Sequence, residues 1–129
     1  RDVAPSRGLG DVYKEGYIRP QRYTKEFVDA NDTFTLSFYG PECKNALNLC
    51  GTVSGRDRDK ISEAGLTPYF TEGTAAFEEA NLIFVCRKIY QDDMPYENFI
   101  AKENDAKYYP NKDYHTMYIA EIVKILVAE

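Results

Sequence analysis

Residues 115–127 carry apolar side chains on both parities of an extended chain. Met117, Ile119, Val123, Ile125 and Val127 fall on one face together with Glu121, and Tyr118, Ala120, Ile122 and Leu126 fall on the other. A strand with two apolar faces needs cover on both sides, which a single surface hairpin cannot give. A second apolar run, 81–90, is rich in β-branched and aromatic residues and reads as another buried strand. Residues 33–39 alternate cleanly, with Phe34, Leu36 and Phe38 expected inward, and 75–77 reads as a short strand leading into 81–90. These strands set the class as mainly β, a barrel or sandwich with helical connections.

The helical signals are short. Thr24 is placed to cap a helix whose apolar stripe is Phe27 and Val28 and which ends at Asn31-Asp32. Cys43, Ala46, Leu47 and Cys50 fit one helical face over 42–50, with Gly51 as the expected stop. A further helix is expected from Arg56 or Asp57 to Ala64, with Ile61 inward and Gly65 ending it. The first sixteen residues read as loop or irregular strand, Tyr17-Ile18-Arg19-Pro20 as a short extended segment, and 91–113 as a long polar loop. Loops of that length usually serve binding or a subunit contact.

The chain of 129 residues fits one domain, 1–129. Sixteen Lys and Arg against 21 Asp and Glu give a net charge of −5, so a nucleic-acid binder, which needs a basic excess, is excluded. No stretch reaches the ~18 apolar residues of a membrane helix, and no signal-peptide core opens the chain. Three cysteines lack metal or disulfide spacing, Cys86 reads as core, and the expected setting is reduced and cytoplasmic. No metal site is expected.

Side chains offer little for acid–base or nucleophilic catalysis. The single histidine, His115, has no nucleophile-elbow serine to serve, and the acidic pairs Asp92-Asp93 and Asp57/Asp59 read as solvated. Two turns stand out from the acidic background: Arg19-Pro20-Gln21-Arg22-Tyr23-Thr24 at a strand-to-helix junction, and Cys50-Gly51-Thr52-Val53-Ser54-Gly55-Arg56-Asp57 between two helices. Each sets arginine, hydroxyl and backbone amides near a helix start, the donor set that a phosphate group takes. Each also suits an ordinary capping turn with surface arginines.

In that order, followed by Gly65-Leu66-Thr67-Pro68, the apolar run ending at Lys88, Tyr109-Pro110-Asn111-Lys112-Asp113-Tyr114-His115 and Tyr118-Ile119-Ala120-Glu121-Ile122, these blocks resemble the flavin reductase-like family with the FMN-binding split-barrel fold, including its flavoredoxin branch. The resemblance covers about 17–127. It implies a Greek-key split β-barrel with two or three short helices, forming a homodimer that holds FMN non-covalently. By resemblance, Arg19, Gln21, Arg22 and Thr24 meet the flavin phosphate and ribityl chain, and Ser54, Gly55, Arg56 and Lys60 form a second anion-binding turn. Tyr109, Asn111 and His115 belong to a late loop that approaches the flavin or the partner subunit. The redox chemistry would then rest on FMN, with NAD(P)H as electron donor and no catalytic side chain. The alternatives are a non-enzymatic flavoredoxin-like carrier that exchanges electrons with a redox protein, and a relic barrel with impaired flavin binding. The family has more chain at its start, including a Trp-Gly stretch against the flavin ring. Ser6-Arg7-Gly8-Leu9-Gly10 is all that resembles it, tryptophan is absent, and the domain looks curtailed at its N-terminus.

Overall fold

The computed structural model describes residues 2–3 and 13–128. Its strands are β1 (Asp2–Val3), β2 (Tyr13–Ile18), β3 (Thr33–Phe38), β4 (Pro68–Thr71), β5 (Thr74–Phe77), β6 (Leu82–Asp92) and β7 (Thr116–Val127). Its helices are α1 (Tyr23–Ala30), α2 (Lys44–Thr52), α3 (Lys60–Ala64) and α4 (Glu103–Tyr108), with single 3-10 turns at Pro41–Cys43 and Tyr96–Asn98. The expected loop over 91–113 therefore contains helix. Six residues dense in charge have no apolar stripe to announce α4.

An antiparallel sheet in the order β1-β7-β6-β3, with β2 also paired to β7, curls into half a barrel, and β4 and β5 form a separate hairpin. The mainly β split-barrel class expected from the sequence is what the chain adopts. The two apolar runs pair with each other. Ile83 faces Leu126 and Cys86 faces Ile122, but Val123 on β7 and Ile89 on β6 are extra residues that break the register. Such bulges bend a sheet and sharpen its twist, which is how long strands close on themselves.

Ile83, Val85, Ala76, Ala80 and Leu126 make one buried cluster, and Cys86, Ala120 and Ile122 another, backed by Phe34, Leu36, Phe84 and Ile125. Cys86 is a core residue, as its surroundings in sequence suggested, and all three cysteines are free. The two-sided cover expected for the last strand is found on one side. Tyr118, Ala120, Ile122 and Leu126 are buried, whereas Met117, Ile119 and Ile125 are half-buried and the bulge residue Val123 is exposed. Phe38 is exposed because it ends a strand at the edge of the sheet.

The helices depart from their expected limits in three places, one of them α3, which starts at Lys60 rather than at Arg56 or Asp57. Arg22, not Thr24, occupies the N-cap of α1 and gives no side-chain cap, so Thr24 lies inside the first turn. Gly51 lies within α2, whose C-cap is Val53. Asp59 caps α3 by accepting from Ser62 N, and Gly65 ends it in the left-handed region at φ 72°, where glycine alone is unstrained. Val28 is buried under α1, while Phe27 and Ile61, both expected inward, are exposed.

Candidate functional site

The antiparallel register of β2 and β7 brings the site together. Ile18 pairs with Thr116, so the residues that follow β2 and precede β7, Arg19 and His115, emerge side by side. Helix α1 is then fixed across the sheet. Tyr118 Oη donates to Asp29 Oδ1 at 2.6 Å, and Lys88 Nζ donates to Val28 O at 2.7 Å, a cation on the helix's carbonyl end. With its C-terminus held, α1 presents its N-terminus to a groove.

That groove has a volume of about 610 Å3 and is walled by β2, the turn into α1, residues 50–54, Asp57, Lys60 and His115. Small-molecule and cofactor sites span roughly 300–1,000 Å3. Seven of the expected site residues meet here: Arg19, Gln21, Arg22, Thr24, Ser54, Lys60 and His115. Gly55 and Arg56 face an adjoining groove, and Asn111 lines neither.

The donors differ in what they are free to do. Arg19 is engaged: it ion-pairs with Asp113 at 2.9 Å, donates to Tyr108 O at 2.9 Å and lies over the Tyr109 ring, 4.7 Å from its centroid. Gln21 Nε2 donates to the same Asp113 carboxylate at 2.8 Å. Lys60 Nζ donates to Cys50 O and Val53 O, at 2.9 and 3.3 Å, tying α2 to α3. Arg56 pairs with Glu26 and stacks on Tyr23 at 4.9 Å. The Arg22 guanidinium, by contrast, makes no hydrogen bond or ion pair among the described residues.

Arg22 stands at the N-terminus of α1, where the first amides have no partner within the helix. Arg22 N is taken by Arg19 O and Lys25 N by Arg22 O, which leaves the amides of Tyr23 and Thr24. Ser54 Oγ accepts from Arg56 N at 3.2 Å and keeps its own proton to donate. Arg22, two helix amides and the hydroxyls of Thr24 and Ser54 form a donor set for an oxyanion.

His115 closes the groove on the other side. Its Nδ1 lies 2.5 Å from Tyr109 Oη. Burial first, and then the charge of Arg19, push its pKa below the ordinary 6.5, so the ring is neutral at physiological pH. The loop that delivers it is built on the buried Asp105, which takes an ion pair from Lys112 and a hydrogen bond from Tyr114. Asp113 was not among the expected site residues. Its one signal in the sequence was its place two residues before His115 in a long loop.

The family model for the flavin reductase like domain matches residues 16–129. Among curated proteins none matches the sequence. Solved structures of the same fold include a flavoredoxin from Methanosarcina acetivorans (TM-score 0.73, 18% identity, 98% of this chain and 58% of that one). An FMN-binding protein from Thermus thermophilus gives a TM-score of 0.70 at 17% identity over 97% of this chain and 60% of that one. A flavoredoxin from Desulfovibrio vulgaris gives 0.68 at 22% identity, over 91% of this chain and 54% of that one. The chain thus spans somewhat over half the length of these proteins. The expected ring-contacting stretch, residues 6–10, lies outside the described residues.

Proposed function

Because the chain belongs to the flavin reductase like domain family, we propose that its groove holds FMN and that the protein is an NAD(P)H-dependent flavin reductase. The observation that carries this is the unpartnered Arg22 guanidinium at the N-terminus of α1, flanked by Thr24 and Ser54. An arginine at the groove wall with no carboxylate of its own offers its donors to an anion, and a flavin phosphate fits it in charge and in number of acceptors. When bound, the flavin supplies hydride and electron transfer, which explains why no acid–base pair is needed from the side chains.

The chain's own residues bind and orient. Arg22, Thr24 and Ser54 would hold the phosphate. Arg19 and Gln21 fix the 108–113 loop through Asp113, and so set the position of His115. The neutral imidazole of His115 gives the groove a hydrogen-bonding group without adding a further charge.

The reading includes a homodimer in a reduced, cytoplasmic setting and a redox protein as onward acceptor. It is supported by exposed apolar side chains on β6 and β7, Ile89, Tyr90 and Val123, which a second subunit would cover. Visible spectra of the purified protein with FMN, before and after anaerobic addition of NADH or NADPH, test it. Uptake of FMN and bleaching by a nicotinamide are expected. A yellow protein that a reduced redox protein bleaches and nicotinamides do not would make it a carrier instead. A protein that takes up no FMN would contradict the reading altogether.

A further inference from the structure

We propose that Tyr109 is a positioning residue: its hydroxyl fixes His115 in the tautomer that carries the ring proton on Nε2, and so presents the groove with a hydrogen-bond donor for an uncharged acceptor oxygen of the ligand. The ligand contact rests on the reading of the groove as a flavin site; the tautomer does not.

Tyr109 caps the C-terminus of α4 and is buried. Its ring is held from several directions. The Arg19 guanidinium lies over it, the Tyr114 and Phe99 rings pack with centroids 5.0 and 5.8 Å away, and its backbone amide donates to Asp105 O at 2.8 Å. A ring so held has little choice of where its hydroxyl goes. Among the described residues Oη has one hydrogen-bond partner, His115 Nδ1.

Burial, Arg19 and Arg22 oppose a charge on the His115 ring and Asp113 alone favours one, so the imidazole is neutral, with one N–H and one lone pair. Were the proton on Nδ1, it would donate to Oη, and the phenol proton would stay buried with no acceptor among the described residues. Leaving a buried hydroxyl donor unpaired costs its full desolvation. When the phenol instead donates to the Nδ1 lone pair, its proton is satisfied and the ring's own proton lies on Nε2.

His115 lines the groove and Tyr109 does not. The two ring nitrogens point to different sides, so with Nδ1 turned to Tyr109 the free one is Nε2, which has no hydrogen bond among the described residues. Arg22 and Thr24 come from the start of α1 and Ser54 from the turn after α2, whereas His115 comes from the start of β7. A neutral donor offsets little of a phosphate's charge, but it pairs with a carbonyl or hydroxyl oxygen.

NMR of the imidazole nitrogens, in the wild type and in Tyr109→Phe, tests the tautomer without ligand. The variant keeps the aromatic ring and loses only the hydroxyl. The wild type is expected to show Nδ1 unprotonated and Nε2 protonated, and the variant to bring the two resonances closer as the second tautomer is populated. A proton on Nδ1 in the wild type, or unchanged resonances in the variant, would overturn the proposal. Titrations with FMN and riboflavin test the ligand contact. Tyr109→Phe is expected to weaken both about two- to fivefold, because only the molecules with the proton on Nε2 and the ring in place bind. In a His115→Gln background, where the amide donor depends on no tautomer, the same change should cost nothing further. Loss of FMN affinity alone would assign His115 to the phosphate, and an equal loss in the His115→Gln background would make the role of Tyr109 structural. Either result, or unaltered affinities, overturns the proposal. A wild type that binds neither flavin would contradict the flavin reading and the ligand contact together, and leave the tautomer standing.

Discussion

Arg19 and Asp113, 94 positions apart in sequence, form an ion pair at 2.9 Å that closes the turn after β2 onto the loop before β7. Gln21 donates to the same carboxylate. The turn that carries Arg22 to the groove and the loop that carries His115 are therefore one mechanical unit, set by residues that need not touch a ligand.

Arg19→Ala should loosen that unit. Two backbone carbonyls, of Tyr108 and Asp113, lose their donor, and the Asp113 carboxylate loses its cation and keeps only Gln21. Amide hydrogen exchange over 108–113 is expected to quicken about tenfold, with little change in the β6–β7 ladder. Unchanged protection would show that the loop is held by Asp105 and its partners alone.

The pH dependence follows from two groups with the same sign. The hydrogen bond from Gln21 first, then that from Arg19, holds the Asp113 carboxyl below its ordinary 3.8. Its stabilisation is complete above that value and is lost as pH falls through the folded pKa. His115 is also lowered, by burial and then by Arg19, so the folded protein binds fewer protons than the unfolded chain below 6.5. Stability should decline as pH falls below 6.5, and His115→Gln should remove the upper part of that decline. NMR titration of the single imidazole should give a midpoint under 6.5 that rises when FMN is added, because the phosphate offsets the charges of Arg19 and Arg22. A midpoint at or above 6.5 without ligand would contradict the placement.

The Arg56–Glu26 pair gives a prediction whose sign is diagnostic. Arg56 braces the 53–59 turn against α1 through Glu26 and Tyr23. Glu26→Ala should therefore weaken FMN binding about two- to fivefold, in the range of an exposed ion pair. Were Arg56 a phosphate ligand restrained by Glu26, the same change would tighten binding.

Tyr114 is pushed up to about 12, first by its hydrogen bond to Asp105. An ultraviolet titration should show a late-ionising fraction of the tyrosines that includes Tyr114, and Asp105→Asn should move one tyrosine's worth of it to lower pH. Simultaneous titration of all tyrosines would show that this buried contact does not form.

The long strands could be read from composition because an apolar residue on every parity has few alternatives to a sheet. Val123 and Ile89 escaped that reading: a bulge changes which residue faces inward without changing the residue types. The β4 strand was missed for the opposite reason, since four residues ending at Glu72-Gly73 leave no period to detect. At the site, the residue types and their approximate location were legible, but their engagement was not. Arg19 and Arg22 sit in one turn with the same side chain, and the structure directs one to Asp113 and leaves the other facing the groove. That choice depends on a loop 89 residues or more away, which spacing within the turn does not encode.

The most direct test of the account compares FMN with riboflavin, which lacks the phosphate, in equilibrium titrations of the wild type and Arg22→Ala. The variant is expected to bind FMN roughly ten- to a hundredfold more weakly, the worth of a charge-assisted hydrogen bond, and riboflavin as the wild type does. Equal FMN affinity in the two proteins, or loss of FMN and riboflavin alike, would contradict the assignment of Arg22 to the flavin phosphate.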